Sequence, residues 1–278
     1  MKKYIIVSLV IVSTTINAFS QDTKFSKERM DRIMATYKKG LSAFASYDRC
    51  GSAFDRPADV VKRAENRQLD KLGNITPEQE AELGLQMFQN SQEPNLANDP
   101  RSLAMVRGLV TKMAAYSSDP SRTYHVYILN SDQVNAYSTI GDYIYITTEL
   151  LKFVKSKDEL AFVVGHEMGH ILNHHCLRKM KKIALIASMG EKLNYQRLSN
   201  VAINATMAIS APFDQMDEYD ADATGFDLVK KSGMDPSAFN SFFGELEKLE
   251  HKKVLARFTS THPSSANRRK CLNVLLNQ

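Results

Sequence analysis

Long apolar runs, charge of one sign and cysteine are all scarce in this chain of 278 residues. After residue 20 no stretch approaches the roughly 20 apolar residues that a bilayer span needs. Even "VAINATMAISA", from Val201 to Ala211, is too short, which argues against a multi-span membrane protein. Lys+Arg total 36 and Asp+Glu 31; setting aside Lys2 and Lys3, the balance is 34 against 31, or +3. That is too mild to imply nucleic acid or an anionic membrane surface as a partner. The three cysteines, Cys50, Cys176 and Cys271, allow at most one internal pair. Unpaired thiols without a role are as good a reading as a Cys50–Cys271 bridge. No internal repeat or low-complexity tract is present.

What is present begins with "MKKYIIVSLVIVSTTINAFSQ". A basic start at Lys2 and Lys3, a short apolar run from Tyr4 to Val12, and small residues at Ala18 and Ser20 read as a secretory signal peptide, residues 1–20. The expectation is an exported protein, periplasmic or secreted, with no membrane span once the signal is removed. Residues 21–72 read as an N-terminal helical extension, interrupted near Gly51 and Pro57, and residues 73–278 as the main domain.

Thr76-Pro77-Glu78-Gln79 is a capping box with proline in the first turn, predicting a helix from Thr76 to about Asn90. Leu103, Val106, Val110 and Met113 recur at helical spacing over 101–116. "YHVYILN" and "DYIYITTE" alternate as strands do, and "SDQVNAYSTIG" between them carries turn residues. The strand at about Tyr143 to Thr148 is expected to be a sheet edge that receives an extended peptide. Ser156 to Glu159 is a second capping box, opening a helix expected to run past Lys179.

That helix holds "ELAFVVGHEMGHILNHH", with four of the seven histidines. His166 and His170, four apart, lie about 40° apart around a helix axis and roughly 6 Å along it, so both imidazoles reach one ion. Glu167 points about 100° away from His166, too far to ligate easily but within reach of a water. A zinc hydrolase needs two neutral nitrogens, an open position for water, and a carboxylate base. Leu160, Val163, Val164, Ile171 and Leu172 make the helix a buried one, where His and Glu without partners would cost several kcal/mol. A third ligand at longer histidine spacing is poorly served, since Asn173 and Cys176 stand where Gly and His would be required. A second helix offers Glu218 with Asp222 four later, one carboxylate for the metal and one for a ligand's ring N–H.

"HEMGH", "EYDAD" and "STHPSSANR" together resemble the zinc metallopeptidase family that includes the CAAX prenyl endopeptidase, HtpX and several periplasmic proteases. "TPEQEAELG" and "NAYSTIGDYIYITTELL" extend the resemblance from Thr76 to the C-terminus. The resemblance implies one Zn2+ per chain held by His166, His170 and Glu218, with Glu167 as base and Asp222 orienting a ligating histidine. His175 is at best a support residue. It also singles out His262 and Arg268 as site residues, His262 serving either as oxyanion donor or as a reversible fourth zinc ligand. The chain departs from the family's usual Gly-Gly at Gly141-Asp142, has Glu149 where a glycine is common, and lacks an arginine before the third-ligand glutamate.

The expected fold is α+β, mainly helical: a zincin-like metallopeptidase domain with a small β-sheet beside the active-site helix. The expected activity is hydrolysis of internal peptide bonds in protein substrates, unfolded or misassembled envelope proteins among them. The rival reading is a non-catalytic zinc-dependent chaperone or assembly factor of the envelope. An intact Glu167 speaks against it, because a purely structural site has no use for a base there.

Overall fold

The computed structural model describes residues 25–42, 55–71, 75–91, 96–188, 193–249, 255, 258, 261–262 and 265–278. The signal-peptide reading, and the Cys50–Cys271 pairing through Cys50, lie outside them. Two helices, α1 (Lys27–Ser42) and α2 (Asp55–Lys71), fall within residues 21–72. Pro57 sits in the first turn of α2, where a missing N–H costs nothing, so it does not interrupt the helix. In α3 (Pro77–Asn90) Thr76 and Gln79 form the reciprocal capping box. In α4 (Pro100–Ala114) Asp99 accepts from the N–H of Ser102.

Strands β1 (His125–Leu129), β2 (Ala136–Thr139) and β3 (Tyr143–Thr147) form a sheet in the order β1-β3-β2. β3 pairs in parallel with β1 and antiparallel with β2. This corrects two expectations. β3 is the central strand, so it is not the edge, and the segment read as a turn contains the true edge strand, β2. Its outward row is set by alternation: Thr147 N–H donates to Asn135 C=O, so Tyr137 and Thr139 also face β3, and the backbone of Ala136 and Ser138 faces away. At the hairpin, Gly141 (φ +77°) and Asp142 (φ +68°) are both left-handed. Asp142 takes there a conformation that disfavours a side chain. Its Oδ1 accepts from Arg122 Nη1 at 2.7 Å.

After α5 (Thr148–Phe153), Ser156 caps α6 (Lys157–Leu172), accepting from Glu159 N–H. Glu159 Oε2 in turn accepts from the N–H of Lys155 rather than Ser156, one residue off the ordinary box. The helix does not run past Lys179: it stops at Leu172, and His174 is left-handed (φ +56°). α7 (His175–Ala187) starts in a new direction, followed by α8 (Tyr195–Ile203), α9 (Ala205–Ser210), α10 (Gln215–Lys231), α11 (Phe239–Leu249) and α12 (Ser265–Leu276).

α10 lies against α6 at backbone contact. A Cβ on Gly169 would stand 2.6 Å from Ala221 O, and one on Gly225 2.7 Å from His166 N. The sheet divides two cores. Val126, Ile128, Ala136, Ile144 and Ile146 face α4, α6, α10, α11 and α12. Tyr137, Tyr143 and Tyr145 face the other way, into a core shared with α1, α3 and α7 to α9. Among the described residues no helix is long and apolar enough to cross a membrane.

Candidate metal centre

His166 and His170 project from α6, Glu218 and Asp222 from α10, and His262 from the segment before α12, which carries Arg268. All six are buried. His166 Nε2 and His170 Nε2 are 3.1 Å apart, His170 Nε2 is 3.3 Å from Glu218 Oε1, and His262 Nδ1 is 3.2 Å from both Glu218 oxygens. One ligand atom from each of His166, His170, Glu218 and His262 lies within 4.8 Å of all the others. His262, 1 % exposed, is no surface-loop residue.

The supports around these atoms set what they offer. Asp222 Oδ1 stands 2.9 Å from His166 Nδ1, taking up that ring N–H and leaving Nε2 as a lone pair toward the cluster. His170 Nδ1 meets His175 Nδ1 at 3.0 Å, and His175 Nε2 lies 3.5 Å from Asp217 Oδ1. Phe213 stacks on His170 with centroids 3.7 Å apart, and Lys179 Nζ sits 3.8 Å above the Phe213 ring. Arg268 donates through Nε and Nη2 to Asp222 at 2.7 and 2.6 Å, while its Nη1 is 2.6 Å from Glu218 Oε2. The guanidinium thus faces the two carboxylates.

Burial pulls the His170 imidazole well below its usual pKa, keeping the neutral form that ligates. Burial alone would push the Glu218 carboxyl up, but Arg268 and His262 outweigh it and hold the group well below the usual carboxylate range. Asp222 is held low in the same way, with Arg268 outweighing burial. Imidazole nitrogens and a carboxylate oxygen therefore converge on one point. A cation suits that arrangement, and a set of nitrogens with one carboxylate is the donor chemistry of Zn2+.

Glu167 stands beside this cluster. Its Oε2 accepts from Ser138 Oγ at 2.9 Å, and its Oε1 is 3.7 Å from His262 Nε2. His262 Nε2 also lies 3.1 Å from Ala136 O, on the outward row of β2. The helix spacing, the second carboxylate helix and the two C-terminal residues thus meet in one place.

Residues 100–275, more than half of the chain, match the sequence profile of Peptidase family M48. The chain belongs to peptidase family M48. It is 25% identical over 181 residues to the "Beta-barrel assembly-enhancing protease" of Escherichia coli (strain K12), covering 60% of this chain and 36% of that protein. It is 32% identical over 161 residues to the "Mitochondrial metalloendopeptidase OMA1" of Arabidopsis thaliana, covering 57% and 33%. It is 29% identical over 153 residues to "Metalloprotease LoiP" of Escherichia coli (strain K12), covering 52% and 59%. The chain thus spans 33% to 59% of the length of these relatives. Within this M48 chain, sequence reasoning missed Ser138, Phe213 and Asp217. Only the place of Phe213, directly before the cap of the Glu218 helix, was a usable signal.

Proposed function

We propose that the chain is a zinc-dependent endopeptidase that hydrolyses internal peptide bonds of protein substrates. The observation that carries this is the convergence of His166, His170, Glu218 and His262 with Glu167 beside them, next to the outward row of an edge strand. His166, His170 and Glu218 are the residues to hold the ion. Zinc held there would supply a Lewis acid for a scissile carbonyl and would bring the pKa of a water toward about 7. Glu167 accepts that water's proton and passes it to the leaving amine. Asp222 orients His166, and Arg268 acts through Glu218 and Asp222 as a positioning residue. The outward-facing backbone groups of Ala136 and Ser138 on β2 pair with an extended peptide once His262 leaves Ala136 O.

We read His262 as a fourth donor rather than an oxyanion donor. Its Nε2 lies 3.1 Å from Ala136 O, which leaves Nδ1, 3.2 Å from both Glu218 oxygens, as the nitrogen turned toward the cluster. A substrate must then displace it from both the ligand set and the strand carbonyl. His262→Ala is expected to raise turnover of a fluorogenic peptide; turnover down by about 10²–10³ with zinc unchanged would return the residue to the oxyanion role.

The basic start and short apolar run of residues 1–20 support export to the periplasm or beyond. The Escherichia coli relative is named for enhancing β-barrel assembly, which supports unfolded or misassembled envelope proteins as substrates. The deciding experiment is cleavage of unfolded casein by the zinc-loaded chain, with and without chelator. Cleavage lost on chelation and restored by zinc is expected. Binding of casein without cleavage would favour the chaperone reading.

A further inference from the structure

The register of β2 places Ser138 opposite Ile144, on the face toward α6, while Tyr137 and Thr139 turn to the other side. Ser138 is 1 % exposed, and its hydroxyl can donate only once. That proton goes to Glu167 Oε2 at 2.9 Å. Cys176 Sγ stands 3.7 Å from Ser138 Oγ and donates to it. Burial pushes the Cys176 thiol up to about 12, so it stays protonated and the hydroxyl is an acceptor on that side. The result is a directed chain from Cys176 S–H to Ser138 O–H to Glu167. With Oε2 tied, Oε1 is the oxygen turned toward His262 Nε2 and the ligand cluster.

We propose that Ser138 is a positioning residue for Glu167, fixing one carboxylate oxygen so that the other is presented to the reacting water. The inference rests on the peptidase reading above. A carboxylate carried on a flexible glutamate stem loses rotamer freedom when one oxygen is tied, and a hydrogen bond to a charged group is a strong tie.

The test uses the full zinc-loaded chain and a fluorogenic peptide. Ser138→Ala should lower kcat about tenfold, the scale of one hydrogen bond to a charged group. KM and zinc content should stay as in the wild type, and Ser138→Thr, which keeps the hydroxyl, should restore most of the rate. In a Glu167→Ala background, Ser138→Ala should cost nothing further. A crystal structure of metal-free Ser138→Ala should show the Glu167 carboxyl turned away from its wild-type position. If Ser138→Ala does not fold, Ser138→Cys keeps the volume with a weaker donor and takes its place. Wild-type kcat in these variants, a full further loss in the Glu167→Ala background, or an unmoved Glu167 in the crystal overturns the inference while leaving the peptidase reading intact. A wild-type protein that cleaves nothing with zinc bound overturns the peptidase reading and this inference with it.

Discussion

The two cores on either side of the sheet are built from different material. On the α6 side the packing is aliphatic and phenylalanine-rich, drawn from residues within or beside the segment that matches the family. On the other side tyrosines stack in a row: Tyr137 on Tyr145 at 4.7 Å, Tyr145 with Tyr127 at 5.9 Å, and Phe88 on Tyr127 at 4.7 Å. Phe25, Ile33 and Tyr37 of the N-terminal segment complete that core, and Tyr37 Oη donates to Pro212 O, beside the Glu218 helix. Lys182 reaches both Glu65 of α2, at 3.1 Å, and Asp214, the cap of α10, at 3.3 Å. The first core carries buried charge that must be paired. The second is built mainly on aromatic area, with the Lys182 ion pairs beside it, and part of its cover comes from a segment outside the family match.

Substitutions should separate the two. The largest effect is expected from Arg268→Ala, which strands the buried carboxylates of Glu218 and Asp222. In the metal-free protein it should cost about 3–5 kcal/mol, read by urea denaturation under chelator. A loss under about 1 kcal/mol would mean that water compensates the pair. Glu167→Gln keeps size but cannot take a proton. Its rate should fall a hundredfold or more with zinc content and melting temperature unchanged. Equal rates for this variant and the wild type would move the protein to the chaperone reading.

In the second core, Tyr145→Leu should lower stability by about 1 kcal/mol through lost stacking, leaving zinc affinity and turnover within about twofold. A large loss of zinc would break the proposed separation. The smallest effect concerns Cys176. Its raised pKa favours the thiol in the folded state, so its contribution is full below about pH 8.5 and is lost as pH climbs toward about 12. At about pH 8 iodoacetamide should modify Cys176 at least a hundredfold more slowly in the folded than in the unfolded protein, followed by peptide mass spectrometry. Comparable rates would show that the site opens freely.

Local signals survived into the structure. The four-residue spacing of His166 and His170 brought both rings to one point, and Thr76 capped as its sequence promised. What failed was long-range. Nothing in "DYIYITTE" distinguishes a central strand from an edge, because strand order depends on pairing with His125–Leu129 far upstream. β2 was hidden because its four residues follow Ser131, Asp132 and Gln133 without a β-branched run. The end of α6 was hidden because the residue turned left-handed is His174, not a glycine. Ser138 could not be found from sequence at all, since its contact with Glu167 exists only once the register of β2 is fixed.

The bare backbone contact between α6 and α10 has a consequence for how this protein can change over time. Gly169 and Gly225 each sit where even a methyl group would strike main-chain atoms of the facing helix. One helix holds two imidazoles and the other a carboxylate, so any widening of the seam passes directly into the gap between donors. A side chain at either position would therefore disturb the donor geometry and the helix packing together. α6, buried from Glu159 to Ile171, has no outer face to vary; on α10 Ala223 and Asp227 face outward.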